Sequence, residues 1–159
     1  MSDNFLEEVK KRILEITSTK KKTIFSISTT AKYEKNSYMT PVRDCKDFIL
    51  TGCIIFDQDV VPKLLEVVDG FVDIILVDSE KHLPIGIKNR SGRQQTVGCV
   101  ETGSVSSFSV QFIKKSKVFE FKPNDLTVNA TWVFLSQRLK YLSGKKISIL
   151  GAGNIGSKL

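Results

Sequence analysis

Six residues near the end of the chain have the types and spacing to hold phosphate: Gly151, Ala152, Gly153, Asn154, Ile155 and Gly156. In a G-x-G-x-x-G turn each glycine answers a different steric demand. Gly151 allows the tight turn out of a strand. Gly153 lets a pyrophosphate approach the backbone with no Cβ in the way, and Gly156 allows the next helix to pack closely on that strand. The unpaired N–H groups at the helix start then face the diphosphate. A lone glycine-rich hexamer is weak evidence. Here it directly follows a short apolar run, residues 147–150 (ISIL), which reads as a strand.

Three other groups of residues could do chemistry. Asp78, Ser79, Glu80, Lys81 and His82 follow an apolar run at residues 72–77. In an open α/β sheet ligands gather where parallel strands end. Lys81 is a candidate general acid or base if burial lowers its pKa, and His82 has an ordinary pKa of about 6.5. A charged surface loop is the plainer reading of that cluster. Thr102 and Ser104, around Gly103, offer hydroxyls for a small substrate, and they equally suit a turn. Asp125 and Thr127 start a long helical pattern, where capping competes with a substrate role. No cluster suits a metal, since the chain has one histidine and three cysteines without C-x-x-C spacing.

These residues need elements to position them. Residues 3–16 repeat apolar side chains at helical spacing (Phe5, Leu6, Val9, Ile13, Leu14, Ile16), with Asp3 or Asn4 as cap. Residues 23–29 alternate as a strand does, and residues 30–46 read as loop. Residues 48–56 form a buried strand, or two short ones broken at Gly52. Asp59 and Pro62 open a helix through residue 68. Residues 72–77 (VDIILV) have the continuous apolar character of a parallel strand, so residues 48–77 make a βαβ unit. Residues 83–87 and 96–100 suit further strands around a polar turn at 89–93. Residues 104–115 permit helix or strand, and residues 118–121 suit a short strand. A helix follows, capped by Asn124 or Asp125. Its stripe is Val128, Trp132, Leu135, Leu139 and Leu142, widened by Leu126, Ala130 and Val133, and its stop is Gly144. The expected class is α/β: a three-layer N-terminal domain with a mainly parallel sheet (1–123), a linker helix (124–143), and the truncated first strand of a Rossmann domain (144–159).

The stretch GKKISILGAGNIGSKL resembles the opening of an NAD(P)-binding Rossmann domain in two-domain dehydrogenases. The helix entered through PNDLT resembles the link between substrate and cofactor domains in shikimate dehydrogenase-like and amino-acid dehydrogenase-like proteins. The close resemblance covers residues 144–159; the order of elements extends it loosely to the rest. It implies a hydride-transferring oxidoreductase using NAD or NADP. The N-terminal domain would hold a small polar substrate, and Lys81 or Asp125 would assist proton transfer. An N-V-T-x-P-x-K segment is missing, so the lysine of true shikimate dehydrogenases has no counterpart here. An adenylating enzyme with an ATP-binding Rossmann-like domain, or a non-catalytic nucleotide-binding module, would use the same glycine turn. A Rossmann site also needs an acid about 20 residues beyond the glycines, whereas Leu159 follows Gly156 by three positions. The expectation is therefore the N-terminal portion of a longer enzyme, which alone binds NAD(P) weakly and is inactive.

Composition narrows the partners. Hydrophobic residues at 41% and charged residues at 26% exclude wholesale disorder. No run of about 18 apolar residues spans a membrane. The formal charge is +7, but Lys10, Lys11 and Arg12 are interleaved with Glu7, Glu8 and Glu15, and Lys20, Lys21 and Lys22 lack neighbouring aromatics. Both clusters argue against nucleic acid. The cysteine count and the absence of a leader pattern fit a reducing cytoplasm, and a homodimer is compatible with everything above.

Overall fold

A computed structural model describes residues 2–29, 36–56, 59–80, 87–88, 94–95, 104–151, 153 and 155–159. The chain divides into two compact units, Met1–Glu120 and Phe121–Leu159.

In the first unit, α1 (Ser2–Thr17) buries Phe5, Leu6, Val9, Ile13 and Ile16. Those positions recur at three and four residues, the period of one helix face. Leu14, expected on that face, is 69% exposed. The helix starts at Ser2, so Asp3 and Asn4 sit inside its first turn and do not cap it.

The sheet is mixed, with mostly parallel strands, and helices flank it, in keeping with a three-layer α/β fold. Its strands are β1 (Lys22–Ser28), β2 (Tyr38–Met39), β3 (Arg43–Asp44), β4 (Phe48–Ile54), β5 (Ile74–Asp78) and β8 (Lys117–Phe121). The order is β2-β4-β1-β5-β8, with β3 also on β4. β1 runs parallel to both β4 and β5, while β2 and β3 pair antiparallel with β4. Residues 30–46, expected as loop, thus contribute two short strands. β4 is one continuous strand through Gly52.

The chain goes from β4 through α2 (Val60–Val68) to β5, and β1 lies between those two strands. The expected βαβ unit therefore straddles a third strand. Phe25, Ile27, Cys53, Ile75 and Val77 are fully buried on one face of the sheet, and α2 contributes Val61, Leu64, Leu65 and Val68 to the same core. Each such aliphatic or aromatic side chain contributes about 1.5–3 kcal/mol on burial. Asp59 flanks α2, but its side chain makes no capping hydrogen bond. A hairpin of β6 (Ile87–Lys88) and β7 (Gln94–Gln95) stands apart from the main sheet. Of the strand expected over 83–87 only Ile87 is described, and it opens β6; the strand expected over 96–100 and the turn at 89–93 lie outside the described residues. Residues 104–115, open to either reading, contain the short helix α3 (Val105–Ser109).

Two aspartates close the amino-terminal end of the sheet. Partial burial opposes ionisation of Asp69, but the backbone N–H groups of Ser116, Lys114 and Lys115 donate to its carboxylate at 2.7–3.1 Å and hold its pKa below the usual value. Asp73 is lowered chiefly by the backbone N–H and the hydroxyl of Thr23, at 2.7 and 2.8 Å. A carboxylate with a depressed folded pKa adds stability above the unfolded pKa of about 4, and that stability is lost as pH falls through the folded value. The urea midpoint is therefore expected to drop as pH falls below about 4. The double variant Asp69→Asn, Asp73→Asn should be less stable at pH 7 and should show a flatter acid limb. An unchanged limb would mean the two carboxylates do not act this way.

In the second unit, α4 (Pro123–Leu139) has Lys122 at its N-cap and Pro123 in its first turn. The expected caps, Asn124 and Asp125, therefore lie within the helix, because proline with its fixed φ takes the opening position. Val128 is buried, and Leu135 and Leu142 are half-buried. Trp132 and Leu139, from the same stripe, are 36% and 39% exposed, against 56% for Leu126, Val133 and Phe134. The stripe is thus less exposed than Leu126 and Val133, which were expected to widen the same face and lie largely open. The helix ends at Leu139, where Lys140 takes a φ of 54°. Gly144, expected as the stop, makes a separate turn with φ 77°. Residues 147–150, expected as a strand, form no ladder. A strand needs a neighbour to satisfy its backbone, and α4 is the only regular element that lies wholly among the described residues of this unit.

Candidate functional site

Two places bring chemistry-bearing residues together, one in each unit. In the first unit it is the carboxyl end of the parallel strands. The chain leaves β1 towards β4 on one side and leaves β5 towards β8 on the other. Adjacent parallel strands whose connections depart in opposite directions leave a crevice between their ends, where open α/β sheets bind ligands.

Ser28 ends β1 and Asp78 ends β5 at this point. The Ser28 hydroxyl donates to Asp78 Oδ2 at 2.5 Å, and the Glu80 N–H donates to Asp78 Oδ1 at 2.9 Å. Asp78 is fully buried, the only charged residue so placed among the described residues. Thr29, next in line, is also buried. A buried carboxyl group beside the Ser28 hydroxyl is an acceptor suited to the hydroxyl or amino group of a small polar molecule. Asp78 was legible as the head of a polar cluster. Ser28 was not, because it meets Asp78 only through the parallel register of β1 and β5, across 50 positions of sequence.

Lys81, His82 and Thr102 lie outside the described residues. Ser104 is the N-cap of α3 and accepts from the Ser107 N–H at 3.2 Å, so its hydroxyl serves the helix. Cys53 is buried in β4, and burial pushes its thiol far above the ordinary range, leaving it protonated at neutral pH. Cys45 is half-buried, and Cys99 lies outside the described residues. Among the described residues no group of three or more His, Cys, Asp or Glu could hold a metal ion.

In the second unit the site is the glycine turn. Gly151 has φ 103°, a conformation that favours glycine. A Cβ on Gly156 would lie 1.9 Å from the carbonyl oxygen of Gly151 and 3.3 Å from the Ile149 side chain. A Cβ on Gly153 would meet nothing within 4 Å. The Ser157 N–H donates to Gly153 O at 2.9 Å, one helical turn closing on the middle glycine. Ala152 and Asn154 lie outside the described residues, and Ile155 is half-buried. Asp125 sits in the first turn of α4 and pairs with Lys158 at 2.5 Å. Thr127 donates its hydroxyl to Pro123 O at 3.0 Å, within its own helix.

No family model, no curated protein and no solved structure matches this chain. Among the described residues no helix is long and apolar enough to cross a membrane.

Proposed function

We propose that the chain belongs to an NAD(P)-dependent oxidoreductase acting on a small polar substrate, with residues 151–156 as the start of its dinucleotide site. One observation carries this reading: the three glycines meet three different demands. Gly151 takes a left-handed turn, Gly156 has no room for a side chain, and Gly153 faces open space where a phosphate could approach. That division of labour is the one a pyrophosphate-binding turn requires. The bound nicotinamide would supply the hydride. Residues of the first unit would hold the substrate, with Asp78 and Ser28 accepting from or donating to its polar groups. Lys81 and Asp125 remain the proposed proton-transfer groups, with Thr102, Ser104 and Thr127 as proposed substrate contacts.

The turn is not anchored by a strand ladder here, so the 159-residue chain should bind nucleotide weakly, with a dissociation constant above about 1 mM, or less than about 4 kcal/mol. Amide NMR reads binding in that range. Titrating the chain with NADH or NADPH should shift the amide signals of Gly151, Gly153, Gly156 and Ser157 saturably. Gly153→Glu, which puts an anion where the phosphate would lie, should remove the effect without unfolding the chain. Shifts that are absent, or that centre elsewhere, would sink the reading. Equal shifts with ATP and none specific to NADH would favour an adenylating enzyme instead.

A further inference from the structure

The amino-terminal end of the sheet, opposite the Ser28–Asp78 crevice, gathers lysines that are far apart in the sequence. Lys20 and Lys22 lie at the head of β1, and Lys46 lies in the tight turn that Cys45 N–H and Phe48 O close at 2.9 Å before β4. Lys114, Lys115 and Lys117 arrive at the head of β8, where the Lys117 N–H donates to Asp73 O at 3.0 Å just before β5. All six are exposed. Across β4-β1-β5-β8 they form a row about 14 Å long, at about 4.8 Å per strand.

Three of the four carboxylates at this end are engaged. Asp69 takes three backbone N–H groups, Asp73 takes Thr23, and Asp44 pairs with Lys21 at 2.5 Å. Adding Lys21 and Arg43 to the six lysines, and setting them against Asp44, Asp47, Asp69 and Asp73, leaves four positive charges in excess.

Folding also supplies the aromatics that the local sequence around Lys20–Lys22 lacks. Phe71, in the turn after α2, is 59% exposed, and Phe112, two residues before Lys114, is 39% exposed. A Cβ on Gly70 would lie 2.6 Å from Lys115 Cδ, so the Lys115 side chain crosses the backbone beside Phe71. A line of cations with an exposed ring beside Lys115 fits a linear polyanion whose bases can stack.

We propose that this rim, Lys20, Lys22, Lys46, Lys114, Lys115 and Lys117 with Phe71, binds single-stranded nucleic acid through phosphate contacts and base stacking. The test is fluorescence anisotropy of the 159-residue chain with a labelled oligothymidylate of about 20 nucleotides at about 50 mM salt. Binding should be saturable, and log affinity should fall linearly with log salt. The triple variant Lys114→Ala, Lys115→Ala, Lys117→Ala should bind at least about tenfold more weakly, with a salt slope shallower by about 2. Phe71→Ala should weaken binding about fivefold and leave the slope unchanged, because stacking releases no counterions. Lys63→Ala removes an exposed charge near the start of α2, at the carboxyl end of the sheet and so opposite the rim, and should change nothing. If the triple variant fails to fold, Lys115→Ala alone carries the test with a proportionately smaller loss. No binding at low salt, an undiminished triple variant, or binding to anionic vesicles but not to the oligonucleotide would each overturn the proposal. Rim variants should leave the nucleotide shifts of Gly151–Gly156 unaltered, so the outcome is independent of the dehydrogenase reading.

Discussion

Gly52→Ala is expected to destabilise the first unit by more than about 3 kcal/mol, the range of severe overpacking. Gly52 lies opposite Ser26 in the register of β4 and β1. A Cβ there would fall 2.1 Å from Ser26 Oγ, 2.2 Å from Ser26 O and 2.8 Å from Ser26 N. The hydroxyl could swing aside, but the carbonyl and amide belong to the ladder that joins the two strands. Relief therefore means moving β1 against β4 inside a close-packed core. The measurement is urea unfolding, with Gly153→Ala as comparison, since a methyl group there meets nothing within 4 Å and should cost less than about 0.5 kcal/mol. Ser26→Gly combined with Gly52→Ala should recover only part of the loss, because the backbone contacts persist. A loss below about 1 kcal/mol for Gly52→Ala would show that the strands do not approach as described.

Asp78→Ala should cost about 2–4 kcal/mol. The change removes the acceptor for the Ser28 hydroxyl and for the Glu80 N–H, and leaves both donors beside a buried cavity. Asp78→Asn keeps an acceptor oxygen and should cost less. Ser28→Ala removes one donor and should cost least. In a double-mutant cycle Ser28→Ala and Asp78→Asn should couple by at least about 0.5 kcal/mol, as groups in direct contact do. Additive losses would mean that the hydrogen bond across the crevice contributes nothing. The burial of an acidic side chain at the switch point carries a desolvation cost that an apolar residue would avoid.

Several elements were legible because periodicity speaks directly to burial. The alternation around Phe25 and Ile27 marked β1, and the run around Ile75 and Val77 marked β5. The spacing of Leu64, Leu65 and Val68 marked α2. The end of α4 was not legible, because apolar residues continue past it to Leu142 while the backbone already turns at Lys140. The unpaired state of residues 147–150 was equally hidden, since ISIL has the composition of a strand but a ladder depends on a neighbour.

What the amino-acid sequence determines by itself is local: the α/β alternation of elements and the glycine turn at 151–156, whose steric demands act between residues a few positions apart. Tertiary structure alone decided that β1 lies between β4 and β5, which sets Ser28 against Asp78 and lines the lysines of three distant segments along one rim. The physical reason is that strand order follows from how whole faces bury against one another, and no short window of residues contains that information.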